Sequence, residues 1–287
     1  MLGWMYAHAI LPFRTLYILS DILYFMAYRV VRYRIRIVRE NLANSFPEKS
    51  KEELRKLERQ FYHHLCDYFV ETIKLLHISD KEMGERFRFE NTGEVIPYLE
   101  KNSALLYLGH FGNWEWITSI TLILSDDVLA AQIYRPLRNK AFDRIFLKIR
   151  KRFGSVGIAK NDTLRSIIRL RNDGKRMILG FISDQTPSTR NIHYWTKFLN
   201  QDTPVFTGVE RIAKQTGFGV FYLDVRKVSR GKYTGTFRLL SDDPKSEPEF
   251  ALTEQYIRAF EKTIMRDPAC WLWSHNRWKH KKTDFEK

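Results

Sequence analysis

The sequence predicts an α/β fold, with a mixed, mostly parallel central sheet flanked by helices and a helical, membrane-associating segment at the N-terminus. Three observations predict it. Short, almost wholly apolar runs at 103–109 (SALLYLG), 128–134 (VLAAQIY), 176–182 (RMILGFI) and 218–225 (FGVFYLDV) read as strands covered on both faces. Helix-like stretches at 113–124, 139–152, 162–172 and 206–216 separate or follow them, as parallel crossovers require. The first 28 residues carry only Arg14 and Asp21 as charges, and a run of arginines follows them.

Taken in chain order, the uncharged run from Met1 to Phe13 is too short to span a bilayer core of ~30 Å, which needs ~20 apolar residues. It also lacks the basic start and small-residue cleavage site of a signal peptide. Residues 15–28 are apolar almost all round, with Tyr17, Tyr24 and Tyr28 spread along them, a pattern suited to a membrane interface. Arg29, Arg32, Arg34, Arg36 and Arg39 come next, each worth ~1 kcal/mol beside anionic headgroups. The expectation is a segment lying in one leaflet; the plainer reading is a buried helix followed by a solvated basic one. Residues 1–31 therefore form the membrane-associating unit and 32–287 the α/β domain, with a helical lead-in over 32–86.

Leu54, Leu57, Phe61, Leu65, Phe69, Ile73 and Leu76 recur at steps of three and four, predicting an amphipathic helix over 50–77. Ser50 and Glu53 form its capping box. RGKYTGTFRLL (230–240) alternates like an antiparallel edge strand, and a last helix is expected at 251–266, before Pro268.

The 287 residues hold 48 Lys and Arg against 33 Asp and Glu, a formal charge of +15. A hydrophobic share of 44% with 14% aromatics excludes a disordered basic tail, so the charge asks for an anionic partner on a folded surface. Cys66 and Cys270 are too few for a disulfide scaffold and lack zinc or redox spacing. Without a binding module or a basic face interleaved with aromatics, nucleic acid is disfavoured as the partner.

The segment LYLGHFGNWEW (106–116) carries the chemistry. A strand ends at Leu108, and a helix is expected near Asn113. On one continuous helix His110 and Glu115 would lie about 140° apart. With His110 in the preceding turn, they can meet. Gly109 and Gly112 allow that bend. Glu115 would then fix the imidazole tautomer and leave the other nitrogen as a base, unless the pair is only a hydrogen bond at a turn. The helix start would offer backbone N–H groups to an oxyanion or a phosphate. No GxSxG, HExxH, P-loop or GxGxxG occurs.

GHFGNWE resembles the H-x4-D/E signature of the glycerolipid acyltransferase superfamily, in the form of the bacterial lipid A lauroyl/myristoyl acyltransferases. YRIRIVRENLANSFPEKS (33–50), YRPLRN (134–139), RKRFG (150–154), SDQTP (183–187) and PACWLWSHNRWK (268–279) are similar to further segments of that branch, in the same order. The resemblance covers roughly 30–280. It implies a membrane-associated enzyme of lipid A biosynthesis at the cytoplasmic face of the bacterial inner membrane. Such an enzyme transfers a fatty acyl chain from acyl carrier protein or coenzyme A to a glycolipid hydroxyl, with no metal and no cofactor beyond the donor. A lysophospholipid or aminolipid acceptor would use the same chemistry. His110 would be the general base and Glu115 its orienting carboxylate. The expected substrate-binding residues are Asn113 (or a helix cap), Arg135 (for oxyanion or phosphate, or a surface ion pair), Arg150 and Arg152 (for headgroup phosphate, or solvated), and Asp184 (a pocket residue or a turn former). Arg138 adds to the same basic cluster. Trp271, Trp273, Trp278 and His275 read as packing and hydrogen-bonding residues.

Overall fold

The computed structural model describes residues 2–136 and 139–285. Helices α1 (Leu2–Ile10) and α2 (Phe13–Tyr24) are broken apart at Pro12, which has no N–H to continue the first. A π-helical turn (Phe25–Val30) leads to α3 (Ile35–Ser45) and the long α4 (Lys51–Lys74), which starts in the expected capping box: Glu53 N–H donates to Ser50 Oγ, and Ser50 N–H to the Glu53 carboxylate. Next come α5 (Asp80–Arg86), β1 (Phe87–Glu90), α6 (Thr92–Leu99) and β2 (Ala104–Leu108). The chain continues through β3 (Val128–Tyr134), α7 (Lys140–Arg150), β4 (Val156–Ala159), α8 (Thr163–Asn172) and β5 (Arg176–Ile182). A small antiparallel pair, β6 (Trp195–Phe198) and β7 (Gln201–Pro204), precedes α9 (Gly208–Thr216), β8 (Gly219–Ser229), β9 (Lys232–Ser241) and α10 (Ala251–Arg266).

Seven of these strands form one sheet in the order β1-β9-β8-β2-β5-β3-β4, parallel at every pairing except β8–β9. The four apolar runs became β2, β3, β5 and β8, and all five residues of β2 are buried. Leu108 pairs with Ile182, so β2 and β5 end level with each other. The residues just beyond them emerge together at the carboxyl edge of the sheet, where open α/β sheets place their ligands.

Four local expectations are corrected. Segment 230–240 is antiparallel but not an edge: the four-residue β1, too short to register as a pattern, pairs outside it. Residues 113–124 are not an α-helix; a turn leads into a 3₁₀ helix at Trp116–Ile123. No α-helix start therefore lies beside His110. The apolar stripe of α4 is not its only buried face: Phe69 is exposed, while His64, Asp67 and Glu71 are buried. Helix α2 covers that polar side, burying Phe13, Leu16 and Ser20 and setting Phe13 edge-on to Trp116. Its other face is open, with Ile18, Ile22, Phe25, Met26, Val30 and Val31 all exposed along the helix and the π-turn. Among the described residues no helix is long and apolar enough to cross a membrane.

Candidate active site

His110 follows β2 through Gly109, and Asp184 follows β5 through Ser183, whose N–H donates to Leu108 O at 3.0 Å. This stitch extends the strand register by one residue and brings the two side chains together, with His110 Nδ1 2.7 Å from Asp184 Oδ1. Glycine is required at 109, because a Cβ there would lie 2.1 Å from the Phe260 ring. Gly112 sits at φ +60°, which a side chain would strain. The loop is pinned from the C-terminal segment: Leu272 N–H donates to His110 O, Gly112 N–H to Cys270 O, and Phe111 bridges Trp271.

Asp184 is 2% exposed, and its second oxygen accepts from Trp271 Nε1 at 2.8 Å. Burial alone would raise its carboxyl, but the charge and hydrogen bond of His110, with the Trp271 indole, outweigh this and hold it below the usual carboxylate range. An ionised carboxylate only accepts, so Nδ1 carries a proton in either charge state of the ring, and in the neutral imidazole it is Nε2 that holds the lone pair. Gln185 Nε2 lies within hydrogen-bond distance of His110 Nε2, at 3.4 Å. Trp114 stands edge-on to the imidazole at 5.1 Å and stacks on Tyr68.

Glu115, expected to orient His110, is not hydrogen-bonded to it in this structure. Both of its oxygens are taken by Arg150, which donates from Nε at 2.8 Å and Nη2 at 2.7 Å. The turn at 113–115 carries Glu115 past the imidazole and toward the end of α7. Glu115, Arg150, Arg135 and His110 line one cavity of about 1220 Å³, walled by apolar side chains of β2, β3, β5 and α9, among them Leu106, Ala131, Ile178 and Ile212. Exposed Arg135, Lys160 and Arg211 stand on its lining. Asn113 does not line it: the residue is fully buried, with Nδ2 donating to Glu71 at 2.9 Å. Arg152 also turns away, donating to Ile78 O and pairing with Asp80. Arg138 lies outside the described residues. Among the described residues, no group of three His, Cys, Asp or Glu side chains is arranged to hold a metal ion.

A family model described as bacterial lipid A biosynthesis acyltransferase matches residues 1–280. The chain belongs to that family. It is similar to a lipid A biosynthesis palmitoleoyltransferase of Escherichia coli strain K12, 25% identical over 97% of this chain and 89% of the relative. It is also similar to a lipid A biosynthesis lauroyltransferase of the same strain, 24% identical over 94% of this chain and 87% of the relative. The protein is thus an acyltransferase of the lipid A biosynthesis family, and its fold class is the α/β architecture read from its strands.

Within this acyltransferase the sequence underrated three residues. Asp184 was one candidate among several, because nothing local in SDQTP tells that β5 ends beside β2. Buried Arg277 donates Nη2 to Pro204 O, leaves Nε and Nη1 without a protein partner, and is pushed down to about 10 by burial. Glu71 sits on what reads as the solvated face of an amphipathic helix. His275, read as a hydrogen-bonding histidine, accepts from Thr186 N–H through Nε2 at 3.3 Å.

Proposed function

We propose that this acyltransferase moves a fatty acyl chain from an acyl thioester to a hydroxyl of a lipid A precursor or related glycolipid, with His110 as general base. The observation that carries the reading is the His110–Asp184 pair, with Asp184 buried and His110 on the lining of the cavity. Nε2 takes the proton of the acceptor hydroxyl as its oxygen attacks the thioester carbonyl. Asp184 holds the tautomer and stabilises the imidazolium that forms. The tetrahedral intermediate then collapses with cleavage of the carbon–sulfur bond, and His110 returns the proton to the departing thiolate. No covalent acyl-enzyme is needed. Glu115 holds the Arg150 guanidinium in the cavity wall.

The apolar wall suits an acyl chain, and Arg135, Lys160 and Arg211 suit phosphate on donor or acceptor. Residues 139–176, which include α7 and α8, hold twelve Lys and Arg against three Asp and Glu, a surface that suits an acidic acyl carrier protein or anionic lipid. The exposed apolar face of α2 and its π-turn, followed by arginines, supports docking in the cytoplasmic leaflet of the inner membrane. The test is acyl transfer to a lipid A precursor by His110→Ala. We expect loss of turnover with the fold intact; near wild-type turnover overturns the mechanism. Lipid mass spectrometry of a deletion strain, seeking a species short of one acyl chain, names the acceptor.

A further inference from the structure

We propose that Glu71, on α4, is a positioning residue that holds the His110 loop in place and joins it to α2. Glu71 is fully buried. Its Oε2 accepts from Asn113 Nδ2 and from Tyr233 Oη, each at 2.9 Å. Its Oε1 accepts from Tyr17 Oη at 3.1 Å, and its backbone carbonyl accepts from Trp116 Nε1 at 3.1 Å. One residue therefore grips the chain at two points just past His110, a helix at its outer face and the β9 strand. Asn113 closes the loop further, since its carbonyl accepts from Trp116 N–H at 3.1 Å.

Among the described residues no cation pairs with the Glu71 carboxylate at salt-bridge distance. Burial pushes its carboxyl up to about 7, against the opposing pull of the Asn113 and Tyr233 hydrogen bonds and the Lys227 charge. The titratable and charged groups around it are Asp67 on α4, Lys227 on β8, Tyr233 on β9, Tyr17 on α2 and Cys270 after α10. Burial therefore disfavours its ionised form, and the hydrogen bonds to Asn113, Tyr233 and Tyr17 are what the side chain supplies to the loop and its neighbours.

The proposal rests on the acyl-transfer reading for its kinetic arm and carries a second readout that does not. Glu71→Met and Asn113→Ala should each lower kcat by roughly tenfold or more with KM changed by less than about twofold, as expected for a displaced base. Combined, they should cost no more than the worse single change, because the bond that Asn113→Ala breaks is already lost in Glu71→Met. Amide exchange in the 109–116 peptide should rise in both. Glu71→Gln keeps an acceptor for Asn113 and Tyr233; it should retain kcat within about threefold and melt above the wild type at pH 8. Wild-type kcat and wild-type exchange in folded Glu71→Met overturn the proposal. If that variant does not fold, the same result in Asn113→Ala overturns it. Turnover retained by His110→Ala would instead overturn the catalytic reading and leave the exchange experiment to decide on Glu71.

Discussion

His110 Nδ1 and Asp184 Oδ1 lie 2.7 Å apart because Leu108 and Ile182 are register partners and the chain advances two residues from each. The pair is thus fixed by the sheet, while Glu115 was carried off by a turn. Asp184→Asn should lower kcat on the order of 10²- to 10⁴-fold, since an amide that donates toward Nδ1 favours the wrong tautomer. Circular dichroism should be unchanged. Near wild-type turnover in the folded variant would remove Asp184 from the mechanism.

Arg150 and Glu115 form a two-pronged pair whose carboxylate end is 3% exposed and whose guanidinium end is 21% exposed. Arg150→Met leaves a buried carboxylate unpaired and should cost on the order of 3 kcal/mol in denaturant unfolding. Arg150→Met with Glu115→Leu should recover most of that loss, because no buried charge is then left alone. A single variant as stable as the wild type would show that the pair does not hold the wall.

Much of this was legible in the sequence, and the reason lies in which patterns are local. The runs that became β2, β3, β5 and β8 are apolar because both of their faces are covered. Ser50 and Glu53 announce the start of α4 within four residues. His110 stood out through its glycines. Its partner did not, because strand order is not written in any one segment. The spacing from His110 to Glu115 suggested a contact only on the assumption that a helix began near Asn113. Glu71 was hidden for a different reason: α2 covers the polar side of α4, so a face that reads as solvated is interior.

Buried Glu71 and half-buried His275 give stability opposite pH slopes. Glu71 binds its proton more tightly in the fold, with burial pushing it up to about 7. From its unfolded value near 4.5 up to 7, the native state holds a proton that the unfolded chain has lost, so this contribution falls as pH rises. His275 is pushed down to about 4 by burial, with Arg277, His110 and Lys279 adding to the shift against Asp184. Between 6.5 and 4 the unfolded chain binds a proton that the native state refuses, so this contribution falls as pH drops. Relative to wild type, Glu71→Gln should gain stability as pH rises through 5 to 7, and His275→Asn as pH falls through 6 to 4. Urea unfolding at each pH measures both differences. Parallel curves for either variant would contradict its assignment.

The N-terminal segment has a buried face and an exposed apolar face, and substitutions should separate core packing from the proposed membrane docking. Leu16 and Ser20 are 1% exposed, and Ser20 Oγ donates to Asp67 at 2.7 Å, so removing residues 1–28 would strip a wall from the core. Ile22, Phe25 and Val31 are 55%, 57% and 66% exposed. Changing these three to Gln should leave the melting temperature unchanged while weakening binding to anionic vesicles by roughly a hundredfold or more, at about 1 kcal/mol or more lost per inserted side chain. Leu16→Gln should do the reverse, lowering the melting temperature through the core. Vesicle flotation at low and moderate salt reads the first effect, and the arginines beyond the π-turn make the residual binding salt-sensitive. Undiminished flotation of the triple variant would move the membrane contact to another surface, with the basic residues of α7 and α8 the next to test.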